Sequence, residues 1–463
     1  MLRQITITGI FLAGALLAAC TVGPAYQKPA VAVPPAYKEG MAWHPAKPQD
    51  SAPRGKWWEI YHDRTLNALE ERLNVSNQNI AAAAANVEAA RAILKEAQAQ
   101  YFPVVSLDPS IVRQRAASIF TPKGSTFTSY SLPLEASWEP DLFGRVRNAV
   151  HASLFSAQAS EADLESIRLS EQSELAADYF ALRFQDEQIK LLNDTVAAYG
   201  NALELVNDQY ISGAGTDEAV AQAQTQLRTA KAQAASLGIL RAQYEHAIAV
   251  LIGQPASSFA LSAGPFTAVP PRVPAGLPSD LLERRPDIAA AERSVAAANA
   301  QVGEAETAFF PSLTLGGEAG FQKFSPDHWL ALPSLVWSVG PAIAQTVFDG
   351  GQRSATVKQF KANYNVTVAN YRQTVLTAFQ QVEDNLAALR ILAQVVSEQD
   401  EAVKAAQRNL DEASARYKAG LDPYLNVIAA QTSLLANKQQ AVNFRTQQMT
   451  ANVQLVKALG GAF

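Results

Sequence analysis

Two runs of 66 residues almost without glycine or proline constrain the fold of this chain more than any other feature. The run Gln352–Tyr417 contains neither residue, and Arg145–Tyr210 contains only Gly200. An α-helix rises about 1.5 Å per residue, so each run would be ~100 Å long, which no compact domain accommodates. Each run leads through a glycine turn into a helix-patterned stretch of 37 residues, Thr216–Ile252 or Pro423–Leu459. The sequence thus predicts two long helical hairpins.

The composition is typical of thin helical layers and argues against several classes of protein. Hydrophobic residues make up 48% of the chain but aromatic residues only 8%, and alanine, which lets helices pack closely, is abundant. The formal net charge is -5, from 38 Lys and Arg against 43 Asp and Glu, so no basic excess favours nucleic acid as a partner. One cysteine excludes a disulfide framework. Five scattered histidines, without an HExxH or CxxC motif, predict no enzyme active site, no metal and no cofactor.

The first twenty residues have the pattern of a bacterial lipoprotein signal. Arg3 precedes an apolar stretch, and Leu17–Cys20 reads LAAC, the sequence at which a signal peptidase cuts before a lipid-modified cysteine. Residues 1–19 are therefore predicted to be a signal peptide and Cys20 the lipidated first residue; the alternative is an ordinary cleaved signal with an incidental cysteine. Thr21 stands where an inner-membrane retention signal would place aspartate, which predicts the outer membrane. Beyond Cys20 no stretch approaches the ~20 apolar residues of a membrane-spanning helix.

The chain also contains an internal repeat. The segment around Phe102 resembles the segment around Phe310 at an offset of 208 residues, and the segment from Tyr210 resembles the one from Tyr417 at an offset of 207. Because the two matches keep nearly one register, they indicate a tandem duplication. A stretch rich in proline and glycine separates the copies, as a linker would. The predicted organisation is a lipid-anchored N-terminal segment over 20–61, repeat one over 62–254, a linker over 255–278 and repeat two over 279–463.

Four runs of about 10 to 14 residues alternate apolar and polar side chains, as strands with one apolar face do. In one run Tyr130, Leu132, Leu134, Ala136 and Trp138 alternate with mostly polar residues. The other runs lie near residues 105–111, 313–322 and 335–346. Their lengths suit tilted strands that cross a membrane, and aromatic residues near their ends are typical of the two lipid interfaces: Tyr101, Phe102, Trp138, Phe309, Phe310 and Trp329. The alternative is a half-buried sheet in a soluble domain.

Four strands are too few to close a membrane barrel, whose smallest examples have about eight. An open sheet edge in lipid leaves backbone groups unsatisfied at a cost of several kcal/mol each, so we expect the chain to oligomerise. Three copies would supply twelve strands and, with four helical tracks per chain, twelve helical tracks. The predicted fold class is therefore a mixed α/β membrane protein with two tandem repeats per chain. The number three is an inference from closure of the ring.

The chain resembles the TolC family of outer-membrane channel proteins, in particular the lipoprotein branch that works with resistance-nodulation-division (RND) efflux pumps. The motifs that carry the resemblance are CTVGPAYQKP from Cys20, EPDLFGRVR from Glu139, LIGQP from Leu251, LPSDLLERRPDI from Leu277 and RYKAGLDPYL from Arg416. The resemblance implies a homotrimer with a 12-stranded β-barrel in the outer membrane, a 12-helix α-barrel in the periplasm, and an equatorial belt formed by the termini and the linker. It also implies a periplasmic adaptor (membrane fusion) protein and an inner-membrane RND transporter as partners. The expected function is passive conduction of an exported drug, metal or other small molecule.

The two turns between the long and the return helices hold the candidate site residues. Gly213 and Gly420 end the long helices, where a residue with positive φ is expected. Thr216 is predicted to cap one return helix, with Asp217 in its first turn. Asp422 is predicted to cap the other, with a proline at the first helical position.

The resemblance implies that these turns form a periplasmic tip at which the tube narrows to a closed iris and the adaptor contacts Gly213 and Gly420. In the family, a tyrosine and a charged residue of one helix pair link to acidic residues of the neighbouring pair. The candidate gate residues are accordingly Tyr417, Arg416, Asp422 and Asp217. Some relatives carry further aspartates where this chain has Asn426 and Ala429, so an aspartate ring is implied only for Asp422. Three Asp422 carboxylates around a threefold axis would favour cations over anions.

Two other functions remain open from the sequence. An exit duct for type I protein secretion has the same fold and a different pump, although the GPAY motif that follows Cys20 favours the RND branch by resemblance. A structural lipoprotein without a pore would leave the four alternating strands unexplained.

Overall fold

The computed structural model describes residues 22–34, 37–38, 55–115, 126–264, 269–273 and 284–461. The predicted signal peptide, Cys20 and part of the predicted linker lie outside these residues. The described chain forms two compact units. Unit one takes its residues from 1–30, 86–161 and 290–372, and unit two from 31–85, 162–289 and 373–463.

Long helices dominate the described chain. The helices are α1 (Arg64–Ser76), α2 (Gln78–Ala99), α3 (Arg145–Ile211), α4 (Asp217–Leu251), α5 (Pro286–Thr307), α6 (Gln352–Lys418) and α7 (Tyr424–Ala458). The long helices α3 and α6 have 67 residues each, and the return helices α4 and α7 have 35 each. The predicted hairpins are confirmed to within one residue at each end. Within the described ranges, no helix combines the length and the apolar character that crossing a membrane requires.

The helical stretch before the first strand, which the sequence predicts from about Leu66 to Phe102 as one helix, is interrupted at Asn77. The backbone of Asn77 is extended (φ -67°, ψ 127°), and its Oδ1 accepts a hydrogen bond from Ile80 N at 3.0 Å. The side chain thus caps α2 as an N-cap residue does. Its Nδ2 donates to Leu251 O at 2.9 Å, so the break also ties α2 to the end of α4.

One antiparallel sheet lies in unit one. Its strands are β1 (Val104–Leu107), β2 (Ser110–Arg115), β3 (Thr126–Trp138), β4 (Ser312–Lys323) and β5 (Leu335–Ala344). β1 and β2 both pair with β3, which in turn pairs with β4, and β4 pairs with β5. Asp108 and Pro109 separate β1 from β2 because proline has no N–H for the ladder. The four expected strands are therefore all present, and the first of them is divided into β1 and β2. Among the described residues, β5 and the β1–β2 strand each pair on one side only.

An aromatic core holds unit two together. Trp57, Trp58, Tyr61 and Phe180 are all at least 95% buried, and the rings of Tyr61 and Phe180 meet edge to face with centroids 4.8 Å apart. The Tyr61 hydroxyl donates to Asn452 Oδ1 at 2.8 Å, which joins the short 3-10 helix Trp57–Tyr61 to α7. This packing explains the paired tryptophans, because large rings bury much apolar area. The Trp57 Nε1 also donates to Gln172 Oε1 at 3.2 Å.

A buried ion-pair network attaches the first part of the predicted linker to α3 and α4. Asp186 accepts from Arg241 Nε at 2.7 Å and from Arg183 Nη1 at 3.4 Å. The same guanidinium groups donate to backbone carbonyls of the linker, Arg183 to Ser262 O at 2.7 Å and Arg241 to Leu261 O at 2.5 Å. Because the charges are paired and also bond to backbone carbonyls, these interactions offset part of the desolvation cost of burying them.

Candidate functional site

The two faces of the sheet differ in chemistry. Alternate residues of a strand point to opposite sides, so the register assigns each residue to a face. One face is mainly apolar on β1, β3, β4 and β5; a single rung across it contains Leu107, Leu134, Ala319 and Trp337. Trp337 is 72% exposed and Ile343, on the same face, is 74% exposed. A continuous exposed apolar patch of this kind indicates a surface that contacts lipid or another protein.

The opposite, polar face of the sheet carries the acidic residues of the described strands. Glu135 on β3 lies directly across from Glu318 on β4, with Ser106 and Ser338 at the two ends of the same rung. Near this rung the Ser106 hydroxyl donates to Asp108 Oδ2 at 3.0 Å. Like charges on facing positions repel each other, which indicates that this face is solvated. In the described part of the chain, no group of three or more His, Cys, Asp or Glu side chains is arranged to hold a metal ion.

The two junctions from strand to long helix are built alike. Asp141 accepts from the backbone N–H of Val146 at 3.1 Å, and Asp349 accepts from Gly351 N at 2.9 Å and from Arg353 Nε at 2.6 Å. The bonds from Arg353, followed by that from Gly351, lower the pKa of the Asp349 carboxyl to about 2. The two aspartates stand 208 residues apart, the offset of the predicted repeat, and both line a cavity of about 690 Å³ in unit one.

The N-terminal strap, residues 22–26, crosses α5 through a contact between two glycines. Gly23 has φ 123°, and a Cβ at this position would lie 2.6 Å from Gly303 Cα. Any other residue at 23 would be both strained and in collision with α5. Val22 N donates to Phe143 O at 3.1 Å, so the strap begins beside the junction between β3 and α3.

The turn between α6 and α7 brings three of the candidate gate residues together. Gly420 has φ 70°, as expected for the residue that ends a long helix. Arg416 donates to Asp422 twice, from Nε at 2.6 Å and from Nη2 at 3.3 Å, and this pairing lowers the pKa of the Asp422 carboxyl. The Tyr417 hydroxyl donates to Gln209 Oε1 on α3. The second hairpin is thereby linked to the first.

The prediction that Asp422 caps α7 is wrong. The N-cap residue is Pro423, which has no side-chain capping bond, and the helix begins at Tyr424. Asp422 turns back to Arg416 instead, because a guanidinium offers two charge-assisted hydrogen bonds to one carboxylate. Asp422 therefore closes the turn through an ion pair.

The turn between α3 and α4 has different side-chain chemistry. Gly213 has φ 76°, and Thr216 Oγ1 accepts from Ala219 N at 3.2 Å, so the expected cap is present. Asp217 is exposed in the first turn of α4. Within the described residues it takes no part in the bonds that join Tyr417 to the first hairpin.

Sequence reasoning missed Gln209. The repeat register could have found it, because Gln209 and Tyr210 correspond to Arg416 and Tyr417 at an offset of 207. The exposed apolar side chains beside the two turns were also missed: Ile211 is 75% exposed, Leu421 68% and Leu425 57%. Helical periodicity predicts which residues lie on a buried face. These residues lie outside such a face, so periodicity predicts no role for them.

Comparison with known proteins identifies the family. The sequence matches the model of the outer membrane efflux protein family over residues 69–254 and 277–461, well over half of the chain. The toluene efflux pump outer membrane protein TtgC of Pseudomonas putida is 33% identical over 473 residues, which cover 100% of this chain and 96% of that protein. The pyoverdine export outer membrane protein OpmQ of Pseudomonas aeruginosa is 30% identical over 459 residues, 97% and 95% of the two chains.

A solved structure has the same fold. The outer-membrane channel OprN superposes with a TM-score of 0.89 at 28% identity, over 96% of this chain and 99% of that chain. The resemblance inferred from the motifs is therefore confirmed, and so is the expectation of a non-enzymatic transport protein of the outer membrane. The chain belongs to the outer membrane efflux protein family.

Proposed function

We propose that the chain is the outer-membrane exit channel of a tripartite RND efflux system, assembled as a homotrimer whose sheets close a 12-stranded β-barrel. The sheet carries this proposal. Its apolar face exposes residues such as Trp337 and Val339, and its two edge strands have unpaired backbone groups among the described residues. Contact between the apolar face and lipid is favourable. At the open edges, however, each backbone N–H or C=O group without a hydrogen-bond partner costs several kcal/mol in lipid. Two further copies would pair both edges and turn the polar face inwards.

Below the barrel, three copies would form a 12-helix α-barrel in the periplasm. The support is the pair of hairpins with helices of 67 and 35 residues, each long enough to form a tube wall. The family model matches twice, over 69–254 and 277–461, which agrees with repeats over 62–254 and 279–463 and with a linker over 255–278. The linker and the N-terminal segment over 20–61 would form the equatorial belt.

The gate of this channel is proposed to be the cluster of Arg416, Tyr417, Asp422 and Gln209. The bond from Tyr417 to Gln209 joins the two hairpins, and the ion pair between Arg416 and Asp422 fixes the turn that carries it. On a threefold axis three such clusters would surround the narrow end of the tube, as the iris of the family does. Asp217 stays a candidate acidic residue of the same rim.

The partners proposed are a periplasmic adaptor protein at the tip and an inner-membrane RND transporter behind it. Exposed Ile211, Leu421 and Leu425 beside Gly213 and Gly420 supply an apolar contact surface at the turns. The printed names of TtgC and OpmQ refer to an efflux pump and to export, which favours efflux over protein secretion. These names concern toluene and pyoverdine, so the class of cargo proposed is a small organic molecule.

Cys20 is proposed to carry the lipid anchor. The N-terminal strap supports this proposal, because the hydrogen bond from Val22 to Phe143 starts the strap two residues after Cys20, next to the end of β3. A lipid at that position would lie at the base of the membrane sheet.

Two neighbouring residues on β5 test the proposed barrel. Val339 lies on the apolar face and Ser338 on the polar face. A lysine on the lipid face costs about 2 to 4 kcal/mol near the middle of the bilayer. Val339→Lys should therefore prevent trimers and conducting channels in planar bilayers, whereas Ser338→Lys should still form both. If the unchanged protein is a water-soluble monomer, or if both variants conduct alike, the proposed channel is wrong.

A further inference from the structure

The apolar face of the sheet ends in basic residues at the edge furthest from the helices. Arg113 and Arg115 pair with Thr128 and Thr126 of β3, two and four residues beyond the rung of Ile111 and Tyr130. Because residues two apart share a face, both arginines continue the face of Ile111. The residue across from Tyr130 on β4 is Lys323, so this lysine shares the same face. The three cations, Arg113, Arg115 and Lys323, are called the basic rim.

Charge is separated between the two sides of the sheet. The acidic side chains of the described strands, Glu135 and Glu318, lie on the polar face, whereas the basic rim lies on the apolar face. Both arginines are exposed, and neither guanidinium group has a hydrogen bond or ion pair among the described residues. Lys323 Nζ donates to Asp327 O at 2.8 Å, which uses one of its three N–H groups. The basic rim therefore offers many free donors on the apolar side.

Aromatic residues give the height of the basic rim relative to the proposed membrane. Tyr130 packs against Trp329 with ring centroids 6.2 Å apart, at the end of the sheet away from the helices. Trp138 lies at the other end, eight residues along β3. At about 3.4 Å per residue and a tilt of about 40°, that separation is roughly 20 Å, close to the height of an apolar band flanked by aromatic girdles. Lys323 thus lies level with the distal girdle, and the two arginines lie beyond it.

We infer that the basic rim binds the phosphate groups of the phosphorylated glycolipid in the outer leaflet of the outer membrane. This inference rests on the proposed barrel, which turns the apolar face towards lipid. Guanidinium groups bind phosphate oxygens through paired hydrogen bonds, and clusters of basic residues at a membrane interface bind anionic headgroups. Leu107 and Ile111 form an apolar column directly below the arginines. An acyl chain fits along this column while its phosphate meets the rim, whereas free phosphate would contact the arginines alone.

The test uses the full-length trimer in detergent and purified lipid A. Arg113→Gln, Arg115→Gln and Lys323→Gln are combined in one variant. Each cation at an anionic interface contributes about a factor of five, so binding of bisphosphorylated lipid A should weaken on the order of 100-fold. A control variant removes three exposed charges from the helices instead, by Arg228→Gln, Lys231→Gln and Arg408→Gln, and should bind as the unchanged protein does. Inorganic phosphate should compete only weakly.

Dephosphorylated lipid A provides a second measurement that needs no variant. The unchanged protein should lose most of its affinity when both phosphates are removed. Equal binding of the two lipids, or equal loss in the two triple variants, would overturn the inference. Planar-bilayer conductance separates this failure from failure of the proposed function. Channels that conduct without a preference for phosphorylated lipid A refute the basic rim alone, and absence of conductance refutes the barrel.

Discussion

The two helical hairpins have the same backbone and different side-chain chemistry at their turns. Their helices have equal lengths, and Gly213 and Gly420 have φ angles of 76° and 70°. The first turn is closed by the cap of Thr216, whereas the second is closed by the ion pair of Arg416 with Asp422. The two hairpins thus share the architecture that glycine and helix length dictate, and they differ in the polar contacts at their turns. The second turn carries three of the residues proposed for the gate, Arg416, Tyr417 and Asp422.

The largest effect should come from removing the gate contacts of the second turn. Tyr417→Phe with Asp422→Asn deletes the bond to Gln209 and the ion pair with Arg416. Because both contacts hold the proposed closed tip, single-channel conductance in planar bilayers should rise severalfold. The matched control in the first turn, Thr216→Ala, removes only the helix cap and should leave conductance near that of the unchanged protein. An unchanged conductance in the Tyr417 and Asp422 variant would remove both residues from the gate.

Protonation of Asp422 at low pH should raise conductance as the preceding variant does, because it removes the ion pair with Arg416. The ion pair with Arg416 lowers the pKa of Asp422 below its ordinary value of 3.8. A lowered pKa means that the contact is fully present above pH 3.8 and is lost as the pH falls through the lower value. Conductance should therefore stay constant from pH 7 to pH 4 and rise only below that range. The Asp422→Asn variant should lack this acid response, and a response that persists in it would assign the effect to another group.

The two turn glycines should be equally sensitive to substitution. A Cβ at Gly213 or Gly420 meets no atom within 4 Å, so the cost of alanine is the backbone strain at positive φ alone. That strain is about 1 to 2 kcal/mol. Gly213→Ala and Gly420→Ala should lower the free energy of unfolding by similar amounts in parallel urea titrations. A clearly larger loss at Gly420 would mean that the ion pair depends on the backbone geometry of its turn.

The smallest expected effect is on the free energy of unfolding, and it comes from the acidic pair Glu174 and Asp178 in the first hairpin. Burial, and then the nearby Glu174 charge, raise the pKa of Asp178 to about 6. At an offset of 207 the second hairpin has Gln381 and Asn385 at these positions, which carry no charge. A raised pKa means that stability falls as the pH rises from about 4 through 6. Asp178→Asn should therefore stabilise the protein at pH 7.5 by about 1 kcal/mol, after allowance for the exposed part of the group.

The control for this prediction is the same measurement at pH 4. Asp178 is protonated there, so the variant and the unchanged protein should unfold at the same denaturant concentration. A gain of equal size at both pH values would attribute the effect to packing of the amide instead of to removal of charge.

Much of the fold follows from local patterns in the sequence. A run of 66 residues with almost no glycine or proline strongly favours a continuous helix. Both long helices end within one residue of the expected position. Strict alternation gave the strand positions, because a period of two separates the faces of a strand. Asn77 and Pro109 each interrupt an element, since one side chain competes for backbone bonds and the other lacks an N–H.

The polar contacts of the candidate site could not be predicted in the same way. Asp422 had two suitable partners, the backbone of the following helix and the guanidinium of Arg416, and only the path of the turn decides between them. The link from Tyr417 to Gln209 joins residues 208 positions apart, and it depends on how two hairpins pack. Sequence periodicity identifies a buried face but does not identify the partner that covers it.

The glycine crossing between the strap and α5 has a consequence for how the channel would be held in the membrane. With Cys20 acylated as proposed, two residues separate the lipid from the fixed amide of Val22, a reach of about 7 Å at full extension. So short a tether would let the acyl chains enter the bilayer at one height only, level with the periplasmic end of the barrel. The anchor would then fix the position of the barrel along the membrane normal, and this position would be the same for each of the three subunits.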